Sequence, residues 1–483
     1  MGLARAIALA LGTVGPGLTT VHAQTGTDNA PQRLRLDQLL RSVPAVFVDR
    51  PGSDSAISTA MPERLSCQEL TPAVLNRLTL PDAMGHVLCK TPALNQALLL
   101  VDEQRAASDV AQAAFRPRLS ARAELSARGI PSSNSGAGFL NSSATGSLGL
   151  SWVLFDAGTR AASLEQSRQV LSSAKAAQQT AALNTLNEAL RLYVEAATAH
   201  ARLDALRETE SVARQSLQAA QVKYDAFVVS LAEKLQAQTA LAQATLERVR
   251  AEGMWDTARG LLALAMGFSV TQALSLAPVN AAFPGTSMKM TAPELMEVTK
   301  RQHPRLRSAR ADVLALTSRL DSIRAEKFGS VFLSASTGST RDLSTPGSRF
   351  QSGLSGNLVA SIPIFNGTEQ QAREAQVLAQ IASREETITQ VERDLESDVW
   401  RNVKLLETET QNIEAAQLLL NAASQSYQIT FGRYKAGVGS ILELLATQTA
   451  LSNARSQLAQ AQIALAAARL RLEVASGRML LTP

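Results

Sequence analysis

The chain has 483 residues and a formal charge of +5; 45% of its residues are hydrophobic and only 4% are aromatic. So few aromatic side chains argue against a nucleic-acid reader that stacks bases, and against a large conventional globular core. No cluster of lysine and arginine forms a phosphate-binding stripe, so no nucleic-acid partner is expected. Alanine and leucine carry the apolar content, a mixture typical of long helices packed side by side.

Residues 1–23 are predicted to be a signal peptide. Arg5 precedes the apolar run 6–11, and Val21-His22-Ala23 supplies small residues at the spacing that a signal peptidase reads. A buried N-terminal helix is the alternative, but the glycines and proline between residues 12 and 17 would break it. After residue 23 the sequence contains no run of about 18 apolar residues, so no membrane-spanning α-helix is predicted. Residues 24–80 are predicted to form an N-terminal lead-in, which is polar and flexible over residues 24–66.

The two cysteines of the chain lie near the predicted mature start. Cys67 and Cys89 are close in sequence, and an exported protein folds where a disulfide persists. Two free buried thiols or half a metal site are the alternatives. Because no further cysteine or histidine stands at ligand spacing, a disulfide is favoured and no metal is expected.

The most informative feature is an internal repeat. Segments around Tyr224 and Tyr434 share identities at a spacing of 210 residues. The matched pairs are Tyr224/Tyr434, Ala226/Ala436, Val228/Val438, Ser230/Ser440, Glu233/Glu443, Leu235/Leu445 and Gln238/Gln448. The sequence therefore predicts one structural unit used twice, at residues 81–277 and 291–483, joined by a linker at 278–290.

Each unit is predicted to contain a long helix flanked by shorter ones. Residues 160–224 contain neither glycine nor proline, which predicts a helix over 157–224. At about 1.5 Å per residue this helix would be about 100 Å long. Its counterpart covers 367–434. A second helix follows each long one, at 231–266 and 441–476, and a shorter helix precedes each pair of strands, opening at Pro92 and at Pro304.

The second long helix carries a heptad pattern that indicates coiled-coil packing. Two sets of apolar residues recur every seven positions and are offset by a stutter. They are Ile381, Ile388 and Leu395, then Ile413, Leu420 and Tyr427. A rod of this length cannot bury itself, so we expect it to pack on its neighbours or on other chains.

The β-structure is predicted as two hairpins, at 118–154 and 331–364. Leucine and alanine alternate with serine, arginine and glutamate over residues 118–128. Strands of about ten residues with one apolar and one polar face are typical of membrane barrels. A half-buried soluble sheet gives the same pattern. Because four strands cannot close a barrel and open edges do not occur in lipid, the membrane interpretation requires an oligomer.

Enzyme chemistry is not expected. Beyond the predicted signal peptide the histidines are His86, His200 and His303, and none belongs to a metal-binding helix motif. The sequence shows no phosphate-cradling loop and no nucleophile elbow. We therefore expect neither catalysis nor a cofactor.

With these elements in place, the chain resembles the TolC family of outer-membrane export channels over nearly all of its length after residue 79. The resemblance rests on the duplicated plan and on three segments, Val153–Arg160, Pro363–Gln370 and Tyr434–Leu445. It implies an α+β membrane protein whose homotrimer combines a long α-helical coiled-coil barrel with a twelve-stranded β-barrel, four transmembrane strands coming from each chain. It also implies contact with outer-membrane lipid, a periplasmic adaptor and an inner-membrane pump of the ABC or another type.

The resemblance further implies that the helix-to-helix turns form the periplasmic entrance and contact the adaptor. The turn residues are Phe227, Val228, Val229 and Ser230 in the first unit, and Gly437, Val438, Gly439 and Ser440 in the second. Glu443 and Glu233 match acidic positions of a pore constriction, and Tyr434 matches a tyrosine clasped against the acid at Glu233. Ala446 and Gly439 depart from the pattern, since the family's founding member has an acid and an arginine there.

The role of these acids stays open at this stage. A ring of Glu443 carboxylates would attract cations, yet an acid in a first helical turn also simply favours the helix dipole. For the cargo, the lack of a cysteine after the signal favours type I secretion of large toxins resembling adenylate cyclase-haemolysin. Multidrug efflux is the alternative, and a periplasmic coiled-coil scaffold is the alternative of a different class.

Overall fold

A computed structural model describes residues 71–130, 139–278, 291–345 and 347–477. α1 (Pro72–Leu75) precedes the first repeat, whose elements are α2 (Leu80–Lys90), α3 (Pro92–Ala113), β1 (Arg118–Ile130), β2 (Phe139–Phe155), α4 (Thr159–Asp225) and α5 (Leu231–Ala265). The second contains α6 (Ala292–Gln302), α7 (Pro304–Ala325), a 3₁₀ turn (Glu326–Phe328), β3 (Ser330–Asp342), β4 (Gln351–Ser361), α8 (Glu369–Lys435) and α9 (Ile441–Ala475). The predicted signal peptide, residues 24–70 and most of the linker lie outside the described residues.

The two long helices are equal in length. α4 and α8 have 67 residues each, so each extends about 100 Å at about 1.5 Å per residue. α3 and α5 both pack against α4, but α7 and α9 also contact α4 as well as α8. α4 is therefore shared between the repeats, which interlock along it.

Burial differs sharply between the two long helices. α4 has 19 buried residues, whereas α8 has 8. The heptad residues of α8 face its intramolecular neighbours, since Leu395 and Tyr427 are buried and Ile381 is half-buried. Trp400, Leu418 and Ile429 of the same helix remain largely exposed. One face of α8 thus has no partner among the residues that the structure describes.

Helices α2 and α6 are elements that the sequence reasoning missed. Each begins with a capping box, in which the side chain of Thr79 or Thr291 and an acid three residues later satisfy free backbone N–H groups. The pattern T-x-x-D or T-x-x-E could have revealed both. The end of the expected lead-in is also structured, because Leu78 is fully buried and forms a parallel bridge with Leu276.

The strands form one antiparallel sheet in the order β1-β2-β3-β4, so the two hairpins join through β2 and β3. In the first hairpin, pairing between β1 and β2 continues to Ile130 and Phe139. The last strand, expected to reach residue 364, ends at Ser361, since Pro363 has no N–H to donate to a ladder.

The register separates the two faces of the sheet. Leu119 stands opposite Leu150, and Leu333 lies between Trp152 and Leu358, which makes one face apolar. On the other face Ser120, Gly149, Ser336 and Ser355 form one row across all four strands. Leucines of the apolar face are nevertheless exposed, as at Leu119, Leu125, Leu354 and Leu358. An apolar sheet surface of this kind needs a covering medium or partner.

The junction between sheet and long helix is held by the first of the motif segments. Asp156 accepts hydrogen bonds from the backbone N and the Nε of Arg160, at 2.9 and 2.7 Å. Arg160 Nη1 in turn donates to the carbonyl of Val153 at 2.8 Å. At the equivalent place in the second repeat Gln370 donates to the carbonyl of Ile323 at 2.7 Å. These bonds fix the direction in which each helix leaves the sheet.

A buried histidine predicts a pH-dependent stability. His303 caps α7, since its Nδ1 accepts from the backbone N of Arg305 at 3.2 Å. Burial and the charge of Arg305 lower the pKa of this imidazole to about 4. Unfolded histidine binds a proton near pH 6.5, so the free energy of unfolding should decrease by up to about 1.4 kcal/mol for each pH unit below about 6.5, until the pH reaches about 4.

His303→Asn keeps a capping acceptor but cannot take up the proton. Thermal unfolding in detergent at about pH 7.5 and about pH 5 should therefore show a smaller loss of stability for this variant than for the parent chain. Equal losses in the two proteins would contradict the assignment.

Candidate functional site

The residues implied in channel entry lie at the far ends of the long helices, away from the sheet. Both turns are closed by the same backbone bonds. Phe227 N and Val228 N donate to the carbonyls of Tyr224 and Lys223, at 2.9 and 2.8 Å. In the second turn Gly437 N and Val438 N donate to Tyr434 and Arg433, at 3.1 and 3.0 Å. Ser230 and Ser440 then cap α5 and α9 with their hydroxyl oxygens.

The two turns nevertheless expose different side chains. Phe227 adopts a left-handed conformation with φ of 58°, where the second turn has Gly437 with φ of 82°. The Phe227 ring is 96% exposed, and Val228 and Val438 are also exposed. At Gly439 a Cβ would lie 3.0 Å from Tyr434 N, so the backbone of the second turn approaches closely there.

Of the two acids expected at a constriction, Glu443 has a cationic partner. Its Oε1 lies 3.0 Å from Nη1 of Arg433, across the second turn. The sequence reasoning missed Arg433, although it directly precedes the tyrosine that was singled out. Part of the Glu443 charge is therefore balanced within its own hairpin.

Tyr434 is fully buried between the hairpins, and the ammonium of Lys223 lies 4.1 Å from its ring centroid. Lys223 also donates a hydrogen bond to the backbone carbonyl of Tyr434. Burial, together with the nearby charge of Glu233, raises the pKa of the tyrosine hydroxyl. Among the described residues that hydroxyl has no hydrogen-bond partner, so Glu233 is close but does not accept its proton.

Sites of other kinds are not found in the described ranges. There, no group of histidine, cysteine and acidic residues could hold a metal ion. No helix in the same ranges has a stretch hydrophobic and uncharged enough to span a bilayer. Cys89 is disulfide-bonded, and Cys67 lies outside the described residues, so their pairing stays a prediction.

Two long helical hairpins that leave a sheet with one apolar and one polar face define a subunit of a membrane channel. The chain belongs to the outer membrane efflux protein family, whose model matches residues 83–268 and 295–478. It is accordingly a transport protein of the outer membrane that reaches into the periplasm, and not an enzyme.

Known relatives and solved structures agree with this family. The chain is 30% identical to protein CyaE of Bordetella pertussis over 386 residues, covering 79% of this chain and 80% of CyaE. It is 22% identical to nodulation protein T of Rhizobium leguminosarum bv. trifolii over 392 residues, covering 76% and 79%. The CmeC outer membrane channel of Campylobacter jejuni has the same fold, with a TM-score of 0.71, 16% identity and coverage of 96% and 94%.

Proposed function

We propose that three copies of the chain form the outer-membrane channel of a tripartite export system for type I protein secretion. Substrate passes from an inner-membrane pump, of the ABC or another type, and a periplasmic adaptor to the exterior. Multidrug efflux remains the competing function. The greater identity to CyaE than to nodulation protein T favours the secretion branch.

The observation that carries the proposal is the open four-stranded sheet. β1 and β4 each have one unpaired edge, and the apolar face is exposed along its leucines. Backbone groups in lipid need partners, and four strands are too few to close on themselves. Three copies placed edge to edge supply twelve strands, an even number within the range of closed outer-membrane sheets.

The helices support the same assembly. α8 lies at one side of the helical array and α3 with α5 at the other, and both sides carry exposed apolar residues. On α8 these include Leu418 and Ile429, and on α5 they include Leu246 and Val249. When α8 of one copy contacts α3 and α5 of the next copy, the exposed apolar residues of both sides become buried. The same contact repeats from copy to copy until the ring closes. Such an interface is heterologous and gives cyclic symmetry.

The polar face of the sheet suits a channel wall with little affinity for its cargo. Neighbouring strands are linked by hydroxyl pairs at 2.8 to 3.1 Å: Ser126–Ser143, Thr145–Thr340 and Ser336–Ser355. Because these hydroxyls bond to one another and the side chains are small, the wall offers few strong contacts to a passing polypeptide. We place this face toward the lumen and the leucines toward outer-membrane lipid.

The turns are proposed as the adaptor-contacting surface. They stand at the end of the rods farthest from the sheet, and they combine the exposed Phe227 with Val228 and Val438. The remaining turn residues, Val229, Ser230, Gly437, Gly439 and Ser440, shape the same surface. A bulky residue held in a left-handed conformation costs about 1 kcal/mol, which a contact with the adaptor would offset.

The decisive experiment deletes the chain and measures secreted protein and drug susceptibility in the same strain. We expect export of a large polypeptide to stop while drug susceptibility stays unchanged, and the full-length gene to restore export. Increased susceptibility with normal secretion would assign the channel to multidrug efflux. A detergent-free monomer in the periplasmic fraction would contradict the channel itself and favour a scaffold.

If Glu443 lines a pore constriction, substitutions of Glu443 and of its ion-pair partner Arg433 should change the cation selectivity in opposite directions. Arg433→Gln should raise the preference for cations in planar bilayers, because it leaves the three Glu443 carboxylates unbalanced in a narrow pore. Glu443→Ala should lower it. If neither substitution changes the reversal potential in a salt gradient, Glu443 is an ordinary residue of a first helical turn.

A further inference from the structure

The two hairpins differ in what their equivalent basic residues contact. At the 210-residue spacing Lys223 corresponds to Arg433, and Glu233 corresponds to Glu443. Arg433 pairs with Glu443 inside the second hairpin, at 3.0 Å. Lys223 forms no ion pair with Glu233 within the described residues. It reaches instead across to the second hairpin, where it bonds the carbonyl of Tyr434 and covers its ring.

We propose that the arrangement seen here is the closed entrance, in which Lys223 fastens the first hairpin to the second, and that Glu233 is the partner of Lys223 after release. The inference rests on the proposed channel function and names the residue that positions its gate. Lys223 then has two alternative partners, a carbonyl with an aromatic ring on the neighbouring hairpin and a carboxylate on its own.

The alternative partner matters because Lys223 is half-buried. If the hairpins separated and no other group replaced Tyr434 as the partner of Lys223, the ammonium would lose both the carbonyl and the ring of Tyr434. The second hairpin shows that a basic residue at this position can reach the acid ten positions later, since Arg433 does so. Glu233 therefore offers Lys223 the same contact, and opening exchanges one set of partners for another.

In this arrangement the hydroxyl of Tyr434 does not hold the two hairpins together. The hydroxyl of Tyr434 is buried and has no hydrogen-bond partner among the described residues. What Tyr434 supplies to Lys223 is its backbone carbonyl and the face of its ring. Removing the hydroxyl should thus leave the gate unchanged, whereas removing the Lys223 charge should open it.

The test measures single channels of the full-length protein in planar bilayers. Lys223→Met keeps the length of the side chain without its charge, and is expected to raise the open probability about tenfold, as the loss of about 1.4 kcal/mol requires. Lys223→Arg, which keeps the charge, should change it much less. Heat-stable oligomers on gels check that each variant assembles.

Two further variants separate the models by the sign of their effect. Under the Lys223 model Tyr434→Phe leaves the open probability unchanged, and Glu233→Gln lowers it because the released state loses its ion pair. A clasp between Tyr434 and Glu233 predicts that both variants open the channel. The double variant Lys223→Met with Glu233→Gln should behave like Lys223→Met alone.

The outcomes distinguish this inference from the function on which it rests. If the parent chain forms pores, and Lys223→Met is unchanged or Glu233→Gln opens the pore, Lys223 is not the gate residue although the channel stands. If the parent chain forms no pore under any condition, both statements are overturned.

Discussion

Leu354→Arg is expected to prevent assembly of the protein in the outer membrane. Leu354 lies on β4 opposite Thr337, and its side chain is 85% exposed on the apolar face of the sheet. An arginine on a lipid-facing strand position costs about 2–4 kcal/mol near the middle of the bilayer, and the proposed trimer contains the substitution three times. Heat-modifiable oligomers should disappear from the outer-membrane fraction.

The next residue of the same strand provides the control. Ser355 points to the polar face and pairs with the hydroxyl of Ser336 at 2.8 Å. Ser355→Arg introduces the same charge on the opposite face, so normal assembly with altered conductance is expected. Should both variants assemble equally well, the leucine face does not contact lipid.

Tyr193→Ala is expected to have the largest effect on the stability of the helical part. Tyr193 is fully buried in the main apolar cluster, where α4 meets α2, α5 and α9. Truncation of a buried aromatic side chain removes about 3–5 kcal/mol of unfolding free energy, because the cavity collapses only partly. Denaturant unfolding followed by circular dichroism would measure the loss.

Tyr193→Phe separates the packing of the ring from its hydrogen bond. The hydroxyl donates to the carbonyl of Leu78 at 3.0 Å, and the same carbonyl also accepts from Ala277 N at 2.9 Å. Losing one of two bonds should cost about 1 kcal/mol or less. A loss as large as that of the alanine variant would show that the segment around Leu78, and not the cavity, controls stability.

The helices and the repeat could be predicted because their signals are local. A stretch without glycine or proline before Tyr224 is enough to predict a rod, and the spacing from Tyr224 to Tyr434 is enough to predict its copy. Ends of elements were less predictable. Pairing across the sheet extends β1 to Ile130, and the missing N–H of Pro363 ends β4 early.

The residues proposed to form the gate illustrate what a single sequence leaves out. Glu443 and Tyr434 were found through a resemblance, but their partners Arg433 and Lys223 were not. By the repeat alone, Lys223 should bind Glu233 as Arg433 binds Glu443. The structure shows Lys223 on the other hairpin, a choice that depends on how two helices 210 residues apart meet.

The duplication, the long rods and the two-faced strands follow from the sequence alone, because periodicity and the absence of breakers act over neighbouring residues. The folded arrangement was needed to show that α4 serves both repeats, that one face of α8 has no partner among the described residues, and that Lys223 crosses between hairpins. Such contacts join residues far apart in the chain, so they depend on packing geometry that no local pattern encodes.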